Sequence, residues 1–165
     1  MRRFNKSAQW LERALAVTPI ASQTMSKMPD AELKGYFPFF FVRGEGCRVW
    51  DIDGNEYIDF EACLGPIILG YCYPPVQEAV ERQLRDGSIM PGPHPLEAEV
   101  AELICEIVPC AEMVRFAKNG VDATSAIVRA ARQYTGRDMV VHYGYHGWMD
   151  WSQAGRKDEP GIPEQ

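Results

Sequence analysis

Two short turns in the second half of the chain carry residue types that could bind a ligand. The first turn is Asn119-Gly120-Val121, which lies between an apolar run and a segment with helical spacing. A glycine at such a point lets unpaired backbone N–H groups converge, and the positive end of the helix dipole adds an attraction for anions. Taken by itself, this turn is either a phosphate-binding site or an ordinary connection between a strand and a helix.

The second turn is Gly144-Tyr145-His146-Gly147, which presents an aromatic ring and an imidazole. If both turns lie at the same end of one sheet, the ring and the imidazole come close to the phosphate-binding turn. Such a combination is suited to a flat, heteroaromatic cofactor that carries a phosphate group. The sequence therefore predicts a cofactor site built from the two turns.

A strand–helix–strand unit is needed to bring the two turns together. Residues 113–117 and 139–142 are short, largely apolar runs, and both are predicted to be strands of a parallel sheet. Between them, Ala123, Ile127 and Tyr134 recur at helical spacing and are predicted to share one buried stripe. The two turns would then follow the ends of the two strands.

The first half of the chain is predicted to contain a helix and a small antiparallel unit. Residues 5–16 have the spacing of an amphipathic helix, and the polar residues 18–36 favour an extended loop. Asp53-Gly54-Asn55 lies between two alternating runs and predicts a hairpin turn. The strands expected here are residues 47–52 and 56–60, with a further strand at residues 37–43.

Two more helices are expected between the hairpin and the first turn. Pro74-Pro75 begins one that ends near Gly87, and Pro95 begins another that stops before Pro109. Apolar residues recur in both at helical spacing and are predicted to face a core. They are Val76, Ala79, Val80 and Leu84 in the first helix, and Leu96, Val100, Leu103, Ile104 and Ile107 in the second.

The composition narrows the possible partners and the compartment. The net charge of -6 disfavours nonspecific nucleic-acid binding, which needs clustered cations. No apolar run approaches the ~20 residues that a membrane span needs, and the start of the chain does not have the pattern of a signal peptide. The five cysteines form no C-x-x-C pair and are predicted to be reduced thiols. A cytoplasmic protein that binds neither nucleic acid nor a membrane is expected.

Three other ligand classes do not fit the spacing of their motifs. Residues 51–55 begin like a calcium loop, but the glycine comes too early and an alanine stands where the bidentate glutamate is needed. Gly44-Glu45-Gly46 begins like a dinucleotide fingerprint, but the third glycine is missing and a strand follows. Cys105 and Cys110 have no histidine nearby, so no metal site is predicted.

Five segments, in order along the chain, give it a resemblance to the class III, fold-type-I aminotransferases that depend on pyridoxal 5'-phosphate (PLP). The resemblance is strongest to the branch that includes glutamate-1-semialdehyde aminomutase. The segments are residues 43–59, residues 65–71, His94-Pro95-Leu96-Glu97 and the two turns described above.

The resemblance implies an α/β fold and a set of site residues. The fold would be the N-terminal part of a fold-type-I transferase, with an N-terminal helix, a small antiparallel β-hairpin unit and the start of a three-layer α/β/α large domain. The boundary is expected between residues 1–72 and 73–165. PLP would be bound by Asn119, Gly120, Val121, Tyr145 and His146, with Tyr145 stacked on the pyridine ring, and Ser22 would face the substrate.

The resemblance also implies that one group needed for catalysis is absent. The lysine that forms the Schiff base with PLP in this family lies beyond the position where this chain stops, so the chain is expected to be an N-terminal fragment that is inactive alone. The whole enzyme would be a homodimer that moves an amino group from an amino donor to a carbonyl acceptor, or within one substrate. The alternative is a truncated module that binds or scaffolds without catalysis.

Two differences from the family pattern affect the predicted site. In glutamate-1-semialdehyde aminomutases, an arginine in an N-terminal loop holds the substrate carboxylate, whereas Met25 stands at the matching position here. Methionine cannot form the bidentate guanidinium–carboxylate pair. A different polar carbonyl substrate, such as a keto-sugar, is therefore expected. Val121 replaces a hydroxyl residue, which is expected to lower the affinity for phosphate by about 1–3 kcal/mol.

Overall fold

The computed structural model describes residues 2–153 and 161–162. The chain forms two compact units, Met1–Ile89 and Met90–Gln165. The helix that begins at Pro74 therefore belongs to the first unit. The domain boundary after residue 72, which concerns the fold of the whole enzyme, stays a prediction.

The first unit contains the predicted helix and antiparallel hairpin. The strands form one sheet in the order β1-β2-β3, and the hairpin turn at Asp53-Gly54-Asn55 joins the last two. The elements are α1 (Asn5–Leu15), β1 (Phe41–Glu45), β2 (Arg48–Asp51), β3 (Glu56–Ile58) and α2 (Pro74–Asp86).

The strand expected at residues 37–43 begins later and runs further than predicted. β1 continues through Gly44, whose backbone passes over the ring of Tyr71. A Cβ at Gly44 would lie 2.5 Å from that ring, so only glycine fits the close approach. The segment 18–36 is also more regular than predicted, because three short 3₁₀ turns form there: Pro19–Ala21, Met25–Lys27 and Ala31–Leu33.

Helix α1 and the hairpin hold each other in place. The carboxylate of Asp53 accepts hydrogen bonds from the backbone N–H groups of Lys6 (2.9 Å) and Ser7 (2.8 Å), two of the unpaired donors in the first turn of α1. The buried Ser7 hydroxyl in turn accepts the N–H of Phe39 at 2.9 Å. Within the described residues, the buried hydrophobic side chains are Leu11, Ala21 and Val49, all in this unit.

The second unit is built on two long helices. The helix expected from Pro95 is confirmed, as is the helix that follows the first turn. Gly136 ends the latter in the left-handed conformation (φ +66°) that glycine adopts readily. The elements are α3 (Pro95–Ile107), α4 (Gly120–Thr135) and the short α5 (Asp150–Gln153).

Two predictions about this unit are wrong for the described residues. Residues 113–117 and 139–142 have extended runs of apolar side chains, but neither segment forms a strand. A strand exists only where a neighbour supplies backbone hydrogen-bond partners, and local sequence does not show whether that neighbour is present. The predicted parallel sheet is therefore not formed by the described residues of the second unit.

The predicted core-facing stripes of the three later helices are also not buried. Val80 in α2 is 51% exposed, Leu103 in α3 is 52% exposed and Ile127 in α4 is 67% exposed. The spacing correctly predicts the three helices, but no described element packs against their apolar faces closely enough to bury them. No helix in the described ranges combines the length and the apolar character that crossing a membrane requires.

Candidate functional site

The first turn has the geometry of an anion-binding helix start. Asn119 has an extended backbone and α4 begins at the next residue. The N–H groups of Asp122 and Ala123 donate to the Asn119 carbonyl oxygen at 3.1 and 3.3 Å. In residues 2–153, no hydrogen bond uses the N–H of Gly120 or Val121. These two donors are open to a ligand at the positive end of a 16-residue helix.

Asp122 lies in this same helical turn and affects its charge. Its carboxylate accepts hydrogen bonds from the backbone N–H of Asn119 at 3.1 Å and from the Asn119 side-chain amide at 3.2 Å. The carboxylate thus stabilises the helix start. It also places a negative charge beside the open N–H groups, and this charge opposes a bound anion. One N–H of the Asn119 amide remains available to a phosphate.

The second turn lies against the first turn of α4. The Thr124 hydroxyl is 3.1 Å from the carbonyl oxygen of His146. Gly147 packs on Val121 so closely that a Cβ at position 147 would lie 2.4 Å from a Val121 methyl group. The structure therefore brings together the two turns that were identified in the sequence.

Tyr145 and His146 differ in how the structure uses them. The Tyr145 side chain is 77% exposed, so its ring is accessible to a ligand. His146 Nε2 is 2.7 Å from the carbonyl oxygen of Tyr143, and a carbonyl can only accept, so Nε2 carries the proton. The imidazole also lies edge-on to the ring of His142, with centroids 5.5 Å apart. These contacts favour a role for His146 in shaping the turn.

Two hydroxyl groups, of Thr124 and Ser125, lie near the first turn. The Thr124 hydroxyl proton is directed at the carbonyl oxygens of Val121 and His146, both at 3.1 Å. Ser125 Oγ accepts the indole N–H of Trp151 at 3.0 Å and keeps its own proton for a further acceptor. Sequence reasoning missed the Thr124–His146 and Ser125–Trp151 contacts, since nothing local signals partners more than 20 residues away.

Ser22 lies in the first unit, on a groove of about 780 Å³. Ser26 and Lys27 line the same groove, whereas the Met25 side chain is 75% exposed. The Ser22 hydroxyl donates to the carbonyl oxygen of Thr24 at 3.0 Å and accepts the Thr24 N–H at 3.3 Å. Its hydrogen bonds are therefore made within its own loop.

The same groove contains a polar cluster that the sequence did not indicate. The Tyr71 hydroxyl donates to the Asp59 carboxylate at 2.8 Å and lies 3.3 Å from the Cys63 sulfur. The hydrogen bond from Tyr71 lowers the pKa of Asp59. Cys63, together with burial and Asp59, raises the pKa of Tyr71, so the phenol stays protonated. Cys63 has a left-handed backbone (φ +53°), as have both of its neighbours.

Metal ligands do not converge in the part of the chain that the structure describes. No group of three or more histidine, cysteine, aspartate or glutamate side chains there could hold an ion.

Comparison with known proteins gives a family match over most of the chain. The family model for aminotransferase class-III matches residues 31–160. Glutamate-1-semialdehyde 2,1-aminomutase from Methanothermobacter thermautotrophicus is 46% identical over 167 residues, which cover 96% of this chain and 39% of the aminomutase. The 3-aminobutyryl-CoA aminotransferase of Cloacimonas acidaminovorans is 43% identical over 126 residues, covering 76% of this chain and 30% of that enzyme.

A solved structure supports the same relationship. The FumI protein of Sphingopyxis sp. MTA144, in its PLP internal aldimine form, matches with a TM-score of 0.80 at 33% identity, over 90% of this chain and 36% of that one. This likeness confirms the predicted fold class, the N-terminal part of a fold-type-I transferase. The chain spans about two fifths or less of the length of these relatives. Sequence and structure agree that the chain belongs to the aminotransferase class-III family.

Proposed function

We propose that this chain forms the phosphate-binding and ring-stacking part of a PLP-dependent aminotransferase that resembles glutamate-1-semialdehyde aminomutase. The observation that carries the proposal is the contact between the two turns. The Thr124–His146 hydrogen bond and the packing of Gly147 on Val121 hold an aromatic turn against a helix start with open N–H groups. These residues fit a flat cofactor that carries a phosphate group.

Each residue of the proposed site has a distinct task. The N–H groups of Gly120 and Val121 and the remaining amide N–H of Asn119 donate to the phosphate oxygens. The Tyr145 ring stacks on the face of the pyridine and fixes its plane. His146 holds the turn through its bond to the Tyr143 carbonyl oxygen. When bound, the cofactor supplies the electron sink for chemistry at the amino group of the substrate.

Binding of PLP to the chain tests the proposal directly. We expect the dialysed chain to retain PLP absorbance and to bind pyridoxal, which lacks the phosphate, much more weakly. Borohydride treatment should leave no covalent adduct, because we assign no covalent attachment to the described residues. A chain that retains no PLP would contradict the proposal and favour the non-catalytic scaffold.

A pair of tyrosine variants tests the stacking role. Tyr145→Ala removes the ring that we assign to the cofactor, and should weaken PLP binding about 2- to 10-fold, the range expected for one aromatic contact. Tyr143 is the matched control, since it is 97% exposed and only its backbone carbonyl contacts His146. Tyr143→Ala should leave the dissociation constant unchanged. Equal effects of the two substitutions would contradict the assignment of Tyr145.

The substrate is proposed to be a small carbonyl compound other than glutamate-1-semialdehyde, with an amino compound as donor. Met25 supports this, because its exposed thioether cannot pair with a carboxylate. A relative of similar identity is named for a different substrate, 3-aminobutyryl-CoA. Ser22 is proposed to contact the substrate from the groove it lines. Efficient turnover of glutamate-1-semialdehyde by an enzyme of the relatives' full length that carries this sequence would refute the idea.

The proposal extends to the assembly and the compartment of the whole enzyme. The whole enzyme would act as a homodimer in the cytoplasm. Sedimentation of the whole enzyme at micromolar concentration would show a monomer if the assembly is wrong. Fractionation of the source cells would test the compartment.

A further inference from the structure

Three neighbouring positions on one face of α4 contact the segment that carries Tyr145. Val121, Thr124 and Ser125 are spaced i, i+3 and i+4, so their side chains lie on one side of the helix. All three are half-buried. We call the following set of residues the turn clamp: Val121, Thr124 and Ser125 of the helix, and His146, Gly147 and Trp151 of the segment they contact.

The central contact of the turn clamp is made by Thr124. Its hydroxyl oxygen is 3.1 Å from the carbonyl oxygen of His146, and also 3.1 Å from the carbonyl oxygen of Val121. Both oxygens are acceptors, so the single hydroxyl proton is shared between them. The Thr124 side chain thus connects the start of α4 to the peptide group between His146 and Gly147, one residue after Tyr145.

The second contact is steric and lies directly beside the first. Gly147 is buried and has a φ of +116°, a conformation that side chains disfavour. Its Cα lies against Val121, where any Cβ would meet the valine methyl at 2.4 Å. The valine side chain therefore fills the space beside Gly147 at the start of the helix, which gives position 121 a packing role.

The third contact secures the far side of the turn. The Trp151 indole N–H donates to Ser125 Oγ at 3.0 Å. Ser152 donates its hydroxyl to the Gly147 carbonyl oxygen at 2.8 Å, in a buried position. The peptide groups on both sides of Gly147 are consequently held, one by Thr124 and the other by Ser152.

We infer that Thr124 is a positioning residue, which sets the distance between the ring of Tyr145 and the open N–H groups of Gly120 and Val121. The inference rests on the proposed function, because that distance matters only if one ligand spans both. Within the cofactor, a short methylene–oxygen linker joins the ring to the phosphate and limits their separation. A binding site must match such a separation to about 0.5 Å, and groups that do not touch the ligand supply this precision.

Substitutions at both ends of α4 provide a matched comparison. Thr124→Val keeps the branched shape and removes the hydroxyl, whereas Thr124→Ser keeps the hydroxyl. Thr135→Val is the control: its hydroxyl also donates within α4, to the Ala131 carbonyl oxygen at 2.8 Å, but at the opposite end of the helix. The dissociation constant of PLP and the visible circular dichroism of the bound cofactor are measured for each chain.

A second measurement does not need the cofactor. In the ligand-free chain, the ¹H–¹⁵N spectrum contains the amide resonance of Gly147, whose peptide group includes the His146 carbonyl oxygen. Loss of the hydrogen bond to that oxygen should shift or broaden this resonance in Thr124→Val. Thr124→Ser and Thr135→Val should leave it close to its original position.

We expect Thr124→Val to weaken PLP binding about 3- to 10-fold, the loss of one hydrogen bond, and to reduce the circular dichroism of the bound cofactor. Thr124→Ser should restore both values. An unchanged Gly147 resonance, or PLP binding equal to wild type in Thr124→Val, would overturn the positioning role alone. A wild-type chain that binds no PLP would overturn the proposed function and the positioning role together.

Discussion

Gly147 shows how one missing side chain can determine the shape of a site. Its positive φ would be strained for any other residue, and a Cβ would also collide with Val121. Gly144, three residues earlier in the same segment, has φ +84° but has open space where its Cβ would lie. A side chain at position 144 would therefore meet only backbone strain, whereas a side chain at position 147 would meet both backbone strain and a steric collision.

Gly147→Ala should cost more than Gly144→Ala. We expect about 1–2 kcal/mol of unfolding free energy from a left-handed backbone in either variant, and about 1–3 kcal/mol more from the collision at position 147. Adding Val121→Ala should recover part of the loss at 147 and none at 144. Chemical denaturation of these four variants, of Val121→Ala alone and of the wild type measures this, and equal losses in the two single glycine variants would contradict the packing described for Gly147.

Asp51 is a buried carboxylate with a structural role in the hairpin. It is 1% exposed and accepts hydrogen bonds from the Asn55 backbone N–H (2.8 Å), the Asn55 amide (2.7 Å) and the Tyr57 hydroxyl (2.9 Å). Burial by itself raises the pKa of Asp51, but the hydrogen bonds together outweigh burial and hold the pKa below its usual value.

This lowered pKa predicts a specific loss of stability in acid. A carboxyl group with a lower pKa in the folded state stabilises the protein above its unfolded pKa of about 4, and the stabilisation is lost as the pH falls through the folded pKa. The unfolding free energy of the wild type should therefore fall more steeply below about pH 4 than that of Asp51→Asn. Urea unfolding across this pH range would reveal the difference, and parallel pH profiles would rule out the role of Asp51.

At the level of elements, the first helix depends on a turn that is distant in sequence. Phe4 precedes α1 and makes no side-chain cap, whereas Asp53 accepts the N–H groups of Lys6 and Ser7 across 46 or more residues. Asp53→Ala should therefore cost about 0.5–2 kcal/mol, the range for loss of a helix cap. Asp30→Ala is the control, because Asp30 caps only its own 3₁₀ turn through the Glu32 N–H.

The comparison of these two variants is made by thermal unfolding followed by helical circular dichroism. Asp53→Ala should lower the midpoint and reduce the helical signal, while Asp30→Ala should change either value only slightly. If Asp30→Ala proved as costly, the helix would not depend on the hairpin turn.

These elements also show what local sequence could and could not predict. The helices and the hairpin were predictable because spacing, proline and Asp-Gly signals act over a few residues. The cap from Asp53 and the Thr124–His146 bond were not, because each joins residues that only the folded chain brings close. The prediction of strands at residues 113–117 and 139–142 was wrong for a related reason. Strand pairing depends on which segments lie alongside in the folded chain, and the composition of one segment does not show this.

At the level of the whole molecule, burial is unevenly distributed. Leu11 is 2% exposed, whereas Leu103 on α3 is 52% exposed although its helical spacing is equally regular. We expect Leu11→Ala to cost about 2–5 kcal/mol, the range for a core leucine, and Leu103→Ala to cost much less. Denaturant unfolding of both variants measures this. Similar losses would mean that the face of α3 is covered in the isolated chain.

The distance between α1 and its cap affects the order in which the protein can be made. Isolated helices of fewer than about 12 residues are marginal in water, and α1 has 11 residues. A ribosome adds about 5–20 residues per second, so Asp53 is joined to the nascent chain some 2–9 s after Ser7. During that interval water solvates the first-turn amides of the segment, and α1 gains its cap only once Asp53 has been added.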